Sequence, residues 1–410
     1  MRSKKINFTN FQGHQLAARL DMPVSEEPIA YALFAHCFTC SKNLKAVSNI
    51  SRALSLHNIA VFRFDFTGLG ESEGDFADTN FTTNVEDLVA AAKFMEGELQ
   101  APRILIGHSL GGAAVLQAAH QIPSAVAVAT IGAPCDPSHV AHLLASSREQ
   151  IERLGEAELI LAGRKFRIKK QFLDDLHQVS MQEKIANLKR ALLIFHAPGD
   201  NTVSIENAAD IFQAAKHPKS FVSLDKADHL LSREEDSLYV GNVLAAWAEK
   251  YVEELKSSVK SPFSLSPEEN VTLVRTGQEG FYTEIMANGH PLIADEPLSY
   301  GGTNKGPSPY ELLAAALGAC TTMTLRMYAD RKQLPLEEVR VRVTHEKIHA
   351  RECGDCETTT GKLDVLKREI ELLGSLNDDQ KQRLLEIADK CPVHRTLHSE
   401  ILIKTTLKSS

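Results

Sequence analysis

Apolar and polar positions along the chain fall into two regimes. From the start to about residue 255, short apolar runs alternate with longer stretches of helical period. The runs are IAYALFA (29–35), IAVFRF (59–64), ILI (104–106), VAVATI (126–131), ALLIFH (191–196) and SFVSL (220–224). They are bounded by polar or turn residues and are partly β-branched or aromatic, as strands buried on both faces are. Between them, VEDLVAAAKFMEGEL (85–99) and AAVLQAAHQI (113–122) read as helices. Such alternation predicts an α/β fold with a mostly parallel sheet covered on both faces. The opening INFTNFQGHQLAARLDMP reads as an antiparallel hairpin turning at Gly13. Residues 140–188 interrupt the alternation with helix, a small hairpin through Ala162–Gly163, and helix. Inserted between two core strands, this segment is expected to form a small cap.

Residues 256–269, within KSSVKSPFSLSPEEN, hold serines and two prolines without apolar period, which marks a linker. Beyond it the pattern changes. VTLVR, FYTEIMA and VRVRVTHEKIHA read as strands. PYELLAAALGACTTMTLRMYADRK (309–332) is a long helix, apolar around much of its circumference and therefore expected to be buried. NDDQKQRLLEIADKC (377–391) is amphipathic, with Asn377 or Asp378 as its cap. The reading is thus an α/β domain over 1–255, a linker, and a compact α+β domain over 270–410.

Length supports this division, because 410 residues exceed one typical core. A net charge of -8 argues against a polyanion binder, so no nucleic-acid partner is expected. The N-terminus has no apolar run behind its basic residues, unlike a secretory signal. The longest stretch free of Asp, Glu, Lys and Arg, Ile104 to Cys135, is broken by Gly, Ser, His, Gln and Pro, which suits buried sheet and helix better than a membrane span. Seven cysteines, an odd number, do not describe a disulfide scaffold, and a reducing cytoplasm is the expected setting.

Ser109 lies in ILIGHSLGG, where strand hands over to helix. A nucleophile at so sharp a turn has a strained backbone, and Gly107 and Gly111 remove side chains that would collide there. The helix start offers the Leu110 N–H to a developing oxyanion. Ser109 needs a base, and the base an orienting acid. Asp200 in HAPGDNTVS and His229 in LDKADHLLS follow later strands in the order Ser, Asp, His. Asp228 is a rival acid, although its place beside His229 points it away. AHCFTCSKN follows an early strand and offers the Phe38 N–H as second oxyanion donor, with His36 as a loop anchor. With GHSLGG, PGD, ADH and FRFDFTGLGESEG (62–74), residues 1–255 resemble the α/β-hydrolase fold family. That resemblance implies an enzyme cleaving an ester, thioester or similar acyl bond of a small molecule. The family often carries His-Gly where this chain has His36–Cys37.

Two cysteines of the second half stand out: Cys320 in LGACTTMTL and Cys391 in DKCPVHRTL. Two thiols within reach of one another can cycle, one attacking a peroxide and the other resolving the sulfenic acid. GGTNKGPSPYELLAAALGACTTMTL with the later CPVHRTL makes residues 270–405 similar to the OsmC/Ohr family of thiol-dependent hydroperoxide reductases. The resemblance implies Cys320 as peroxidatic and Cys391 as resolving thiol, an organic hydroperoxide as substrate, an external thiol reductant, and a homodimer through this half. It also implies an arginine–glutamate pair near the thiol. Where the family reads P-E-E-L or P-E-Q-L, this chain has Pro309-Tyr310-Glu311-Leu312, leaving Glu311 to support the thiolate, and Arg275 is a loosely placed candidate arginine. Together the two matches resemble bifunctional α/β-hydrolase/OsmC fusion proteins. A different reading makes the second half a dimerisation or redox-sensing module.

No cofactor is implied. THEKIHARECGDCE raises a metal site, but His345 and His349 would lie about 13–14 Å apart at strand rise, too far for one tetrahedral ion. Cys353 and Cys356 form a lone C-x-x-C, more simply two free or mutually oxidisable thiols.

Overall fold

The computed structural model describes residues 2–24, 28–37, 41–138, 148–161, 164–178, 181–253, 271–278, 280–349 and 361–407. The chain divides into two compact units, Met1–Arg275 with Glu284–Leu292, and Thr276–Thr283 with Ile293–Ser410. The expected linker falls outside the described residues.

The first unit opens with the hairpin β1 (Arg2–Thr9) and β2 (Gln15–Met22), paired antiparallel, with Gly13 in the turn at φ +87. There follow β3 (Ala30–Ala35), α1 (Lys45–Leu56), β4 (Ile59–Phe64), α2 (Phe81–Glu98), β5 (Ile104–His108), α3 (Leu110–Ala118) and β6 (Ala127–Ile131). The interrupting segment supplies α4 (Arg148–Leu154), the hairpin β7 (Glu156–Leu161) and β8 (Arg164–Lys169), α5 (Lys170–Gln178) and α6 (Gln182–Ala186). The sheet resumes with β9 (Ala191–His196), α7 (Glu206–Ala214), β10 (Lys219–Ser223) and the closing helix α8 (Glu234–Glu253).

Eight strands form one sheet in the order β1-β2-β4-β3-β5-β6-β9-β10, and all pairs from β4 to β10 are parallel. Each central strand is buried on both faces, which is why the apolar runs are continuous rather than alternating. Leu33, Phe62, Leu105, Val128 and Leu192 pack with Leu88 of α2 and Val115 of α3. Their neighbours Phe34, Val61, Ile106, Ala129 and Leu193 belong to a second cluster with Ile50 and Leu54 of α1 and Val240 and Leu244 of α8. The interrupting segment is tied to residues 75–82: Arg167 pairs with Asp75 at 2.6 Å, Asp175 accepts from Thr82, and the Phe166 ring meets Phe76 edge-on.

The later strands β11 (Thr272–Thr276), β12 (Thr283–Ala287) and β13 (His290–Ala294) form a three-stranded sheet in that order. In the second unit α9 (Pro309–Lys332) packs against β14 (Leu336–His349), which pairs antiparallel with β15 (Lys362–Gly374), and against α10 (Asp378–Ala388) and α11 (Pro392–Leu397). Asn377 caps α10 through a reciprocal box with Gln380. Leu325, Ala329, Leu336, Leu376, Leu384, Ile387 and Ala388 make the core of this unit.

The expectation that α9 is buried does not hold within one chain. Only Leu317, Thr321, Leu325 and Ala329, a single i, i+4 stripe, are buried. Met323 and Met327 are 65% and 73% exposed. The two-stranded sheet and two short helices cover one side of α9 and no more. By length and composition α9 is the one described helix apolar enough to cross a membrane.

Candidate active site

Ser109 stands between β5 and α3 with φ 56 and ψ −126, a region that residues with a β-carbon rarely occupy. The neighbouring glycines explain how the turn closes. A β-carbon on Gly107 would lie 2.2 Å from the Gly111 oxygen, and one on Gly112 2.4 Å from the Ala133 β-carbon. Leu110 is the first residue of α3, so its N–H has no acceptor inside the helix.

The loops after β9 and β10 bring the remaining parts to the serine. Ser109 Oγ is 2.9 Å from His229 Nε2, and His229 Nδ1 is 2.7 Å from Asp200 Oδ2. The other Asp200 oxygen accepts the Thr202 and Val203 N–H groups at 2.8 and 2.9 Å. Burial raises the Asp200 pKa, but the His229 bond and charge and the two amides outweigh it, holding the carboxyl below the usual range. The acid is therefore ionised at neutral pH, fixed in direction, and able to stabilise an imidazolium. Gly132, at φ +55, lies behind this pair; its β-carbon would be 3.3 Å from Asp200 Oδ2 and from His229 Nδ1. The rival Asp228 instead accepts the Ser232 N–H.

Phe38 lies outside the described residues, but both ends of its loop are visible. Cys37 is disulfide-bonded, whereas Cys135, Cys320 and Cys391 are free thiols. At the far end, the buried Lys42 donates its N–H to Asp65 at 2.6 Å and its ammonium to Asp65 and Glu71. Arg63 pairs with Asp21 at 2.7 Å and reaches the Lys42 carbonyl. The FRFDFTGLGESEG segment is thus a structural brace for this loop. Gly70 makes room for it, since a β-carbon there would fall 2.2 Å from Asp65 Oδ2.

Sequence reasoning passed over His108 and His196. His108 Nε2 is 2.6 Å from the His229 carbonyl oxygen, and His196 Nε2 is 2.8 Å from that of Val203. Their signal was present: ALLIFH ends in His196, IAYALFA runs directly into His36, and ILI reaches His108 after one glycine.

In the second unit, Cys320 and Cys391 are drawn to the same helical turn. Cys320 Sγ accepts the Val393 N–H at 3.5 Å, and Cys391 Sγ accepts the adjacent His394 N–H at 3.3 Å. Arg368 of β15, also missed from sequence, donates to Thr321 Oγ1 at 2.9 Å, and that hydroxyl lies 3.7 Å from Cys391 Sγ. Arg368 is held by the Ala388 carbonyl and the Asp389 carboxylate. Burial and the Arg368 charge lower the His394 pKa, which keeps that ring neutral.

Glu311 is engaged elsewhere. It accepts the Ser308 N–H at 2.7 Å in a capping box. Nine residues of helix, about 13.5 Å of rise, separate it from Cys320, beyond the reach of its side chain within one chain. Tyr310 stacks on His345 at 4.2 Å, and His345 bonds Asp364 at 2.8 Å. Arg275 pairs with Glu284 at 2.8 Å and donates to the Met22 carbonyl. Among the described residues no cluster suited to a metal ion occurs; Cys353 and Cys356 lie outside them.

Comparison with known proteins agrees with both architectures. Residues 302–406 match the model for OsmC-like protein, and residues 33–141 match that for serine aminopeptidase, S33. The esterase domain of a Rhodothermus marinus protein is 56% identical, with 62% of this chain and 100% of that one covered and a TM-score of 0.52. Est1E from Butyrivibrio proteoclasticus, solved with ferulic acid, shares 20% identity over 60% of this chain and 99% of its own, with a TM-score of 0.50. Alpha/beta hydrolase domain-containing protein 10 from mouse shares 19% over 62% and 99%, with a TM-score of 0.51. The last two likenesses concern fold alone. No curated protein matches the chain.

Proposed function

Because this chain belongs to the α/β-hydrolase fold family and carries an OsmC-like second domain, we propose a bifunctional enzyme: a serine hydrolase of ester or thioester bonds joined to a cysteine-based reductase of organic hydroperoxides. The first activity rests on the continuous line from Ser109 through His229 to Asp200, at 2.9 and 2.7 Å. His229 takes the Ser109 proton as Oγ attacks the acyl carbon. The Leu110 N–H, with that of Phe38, stabilises the oxyanion. The imidazolium then protonates the leaving group, and water repeats the sequence to release the acid. The likeness to the Rhodothermus marinus esterase domain favours esters.

In the second activity the Cys320 thiolate attacks a hydroperoxide oxygen, giving a sulfenic acid and an alcohol. The Cys391 thiolate then displaces hydroxide, leaving a disulfide and, after protonation, water. An external dithiol restores both thiols and is itself oxidised. Neighbouring N–H groups of one turn, those of Val393 and His394, donate to the two sulfurs, which supports this pairing. The exposed side of α9, with Met323 and Met327, supports a homodimer through this half. Placement of the chain with no membrane or nucleic-acid partner is part of the same reading.

A second reading, a dimerisation or redox-sensing module, is favoured by Tyr310, whose ring stacks on His345 where an acid is expected. Turnover decides between them. The full chain with cumene hydroperoxide and excess dithiothreitol should consume many equivalents of peroxide per chain, far faster than dithiothreitol alone or Cys320→Ser; a sensor would add no sustained consumption above those two controls. For the first half, p-nitrophenyl esters and fluorophosphonate labelling of Ser109 are the tests, and an unlabelled, inactive wild type would overturn the hydrolase.

A further inference from the structure

Three strand ends share a feature that a Ser–His–Asp line does not itself require. β3 is followed by His36, β5 ends at His108, and β9 ends at His196. The three rings are 1%, 3% and 0% exposed. Each places one nitrogen against a main-chain oxygen in a loop of the hydrolytic site. His36 Nδ1 is 2.7 Å from the Cys37 oxygen, His108 Nε2 2.6 Å from that of His229, and His196 Nε2 2.8 Å from that of Val203. A carbonyl only accepts, so the nitrogen facing it carries the proton. The second nitrogens, His36 Nε2, His108 Nδ1 and His196 Nδ1, are buried without a hydrogen-bond partner.

A buried imidazolium needs an acceptor at both nitrogens, whereas a neutral ring donating once leaves nothing charged unanswered. The surrounding charges do not overturn this. His36 faces Asp65, 3.6 Å from its Nε2 and too far to bond, and also Lys42. His108 faces His229, Asp200 and His36, and His196 faces Asp200, His229 and Glu206. Burial is the largest influence at all three and lowers each pKa, that of His108 to about 3.

We infer that His36, His108 and His196 are positioning residues of the hydrolase, each holding as a neutral ring one of the loops that carry oxyanion donor, base and acid. The inference rests on the hydrolase reading above. His108 fixes the His229 backbone, so the imidazole on that backbone stays between Ser109 and Asp200. His196 closes the turn whose amides grip Asp200. His36 pins the Cys37 peptide where the loop leaves the sheet. A displacement of about 1 Å in such parts is enough to cost about 100-fold in rate.

Two measurements on the full chain test this. Nitrogen-15 histidine spectra of the wild type between pH 6 and 9, assigned with the variants below, read the tautomers without any substrate. They should show neutral Nε2–H rings at 108 and 196 and a neutral Nδ1–H ring at 36. An imidazolium or the opposite tautomer overturns the inference.

The second measurement is hydrolysis of a p-nitrophenyl ester. His108→Leu and His196→Leu should each lose about 100-fold in kcat, with KM within about threefold. His108→Gln and His196→Gln, whose amides place an N–H near the lost Nε2–H, should recover to within about tenfold, as should His36→Asn. Folded leucine variants with kcat within twofold of wild type overturn the inference. Where a leucine variant does not fold, the matching amide variant decides, and an amide variant as inactive as Ser109→Ala overturns it. A wild type that neither cleaves ester nor takes a fluorophosphonate overturns the hydrolase and this inference with it. An active wild type with indifferent leucine variants overturns this inference alone.

Discussion

A β-carbon on Gly111 would stand 2.5 Å from the main-chain oxygen of His36. The first turn of α3 therefore lies directly on the loop that leaves β3, and the Ala35 oxygen is equally close at 2.5 Å. Backbone cannot retreat as the tip of a flexible side chain can. Gly111→Ala is expected to cost about 1–3 kcal/mol of stability and about 100-fold in kcat, because the start of α3, and Ser109 with it, is pushed off the end of β3. Melting temperature and ester kinetics on one preparation check both effects; unchanged kcat would show the contact yields freely.

Two separate chemistries predict two separable losses. Ser109→Ala should lower ester hydrolysis by about 10⁴-fold or more and leave hydroperoxide consumption intact. Cys320→Ser should do the reverse. Paired assays on both variants and the wild type check this, and a variant that loses both activities would contradict independent sites.

Stability should depend on pH through the buried histidines. Their folded pKa values lie below the ordinary 6.5, that of His108 at about 3. Below pH 6.5 the unfolded chain binds protons that the folded rings refuse. This contribution is therefore complete above pH 6.5 and is lost as pH falls toward the folded values, at up to about 1.4 kcal/mol per pH unit for each ring. Asp200, depressed below 3.8, adds a further loss only below about pH 4. Urea midpoints from pH 8 to 4 should fall below pH 6.5, and more gently in His108→Gln. A flat wild-type profile would contradict the neutral-ring assignment.

Arg368 reaches Cys391 through the Thr321 hydroxyl. With the thiol protonated, that hydroxyl donates to the Leu317 carbonyl at 2.8 Å. Toward a thiolate it can turn and donate to sulfur, with the guanidinium charge behind it. Arg368→Met and Thr321→Val should each slow closure of the disulfide after a single addition of hydroperoxide by about tenfold, prolonging the Cys320 sulfenic acid. Trapping with dimedone over time reads this directly, and unaltered lifetimes would remove the role.

Most of the first unit was legible because its strands are buried on both faces and so spell continuous apolar runs; β4 and β9 coincide with IAVFRF and ALLIFH. Ser109, Asp200 and His229 were legible for a related reason, since each follows such a run. The second unit hid more. β15 reads KLDVLKREIELLG, a charged strand whose apolar spacing suits a helix as well as a strand, and Arg368 lay unseen within it. β13, HPLIA, carries a proline and only two strong strand residues, so its pattern does not read as a strand. The roles of His108 and His196 are set by carbonyls 121 and seven residues away, which local pattern does not encode. For α9 the composition was read correctly and the burial was not, because one chain lacks the surface to cover it.

Ser109 holds its turn in a strained backbone conformation. Its conformation, φ 56 and ψ −126, costs on the order of 1–3 kcal/mol for a residue with a side chain. Glycine would sit there at ease. Ser109→Gly should therefore yield a catalytically dead chain that outlasts the living one on heating: at this turn the enzyme has given up durability for turnover.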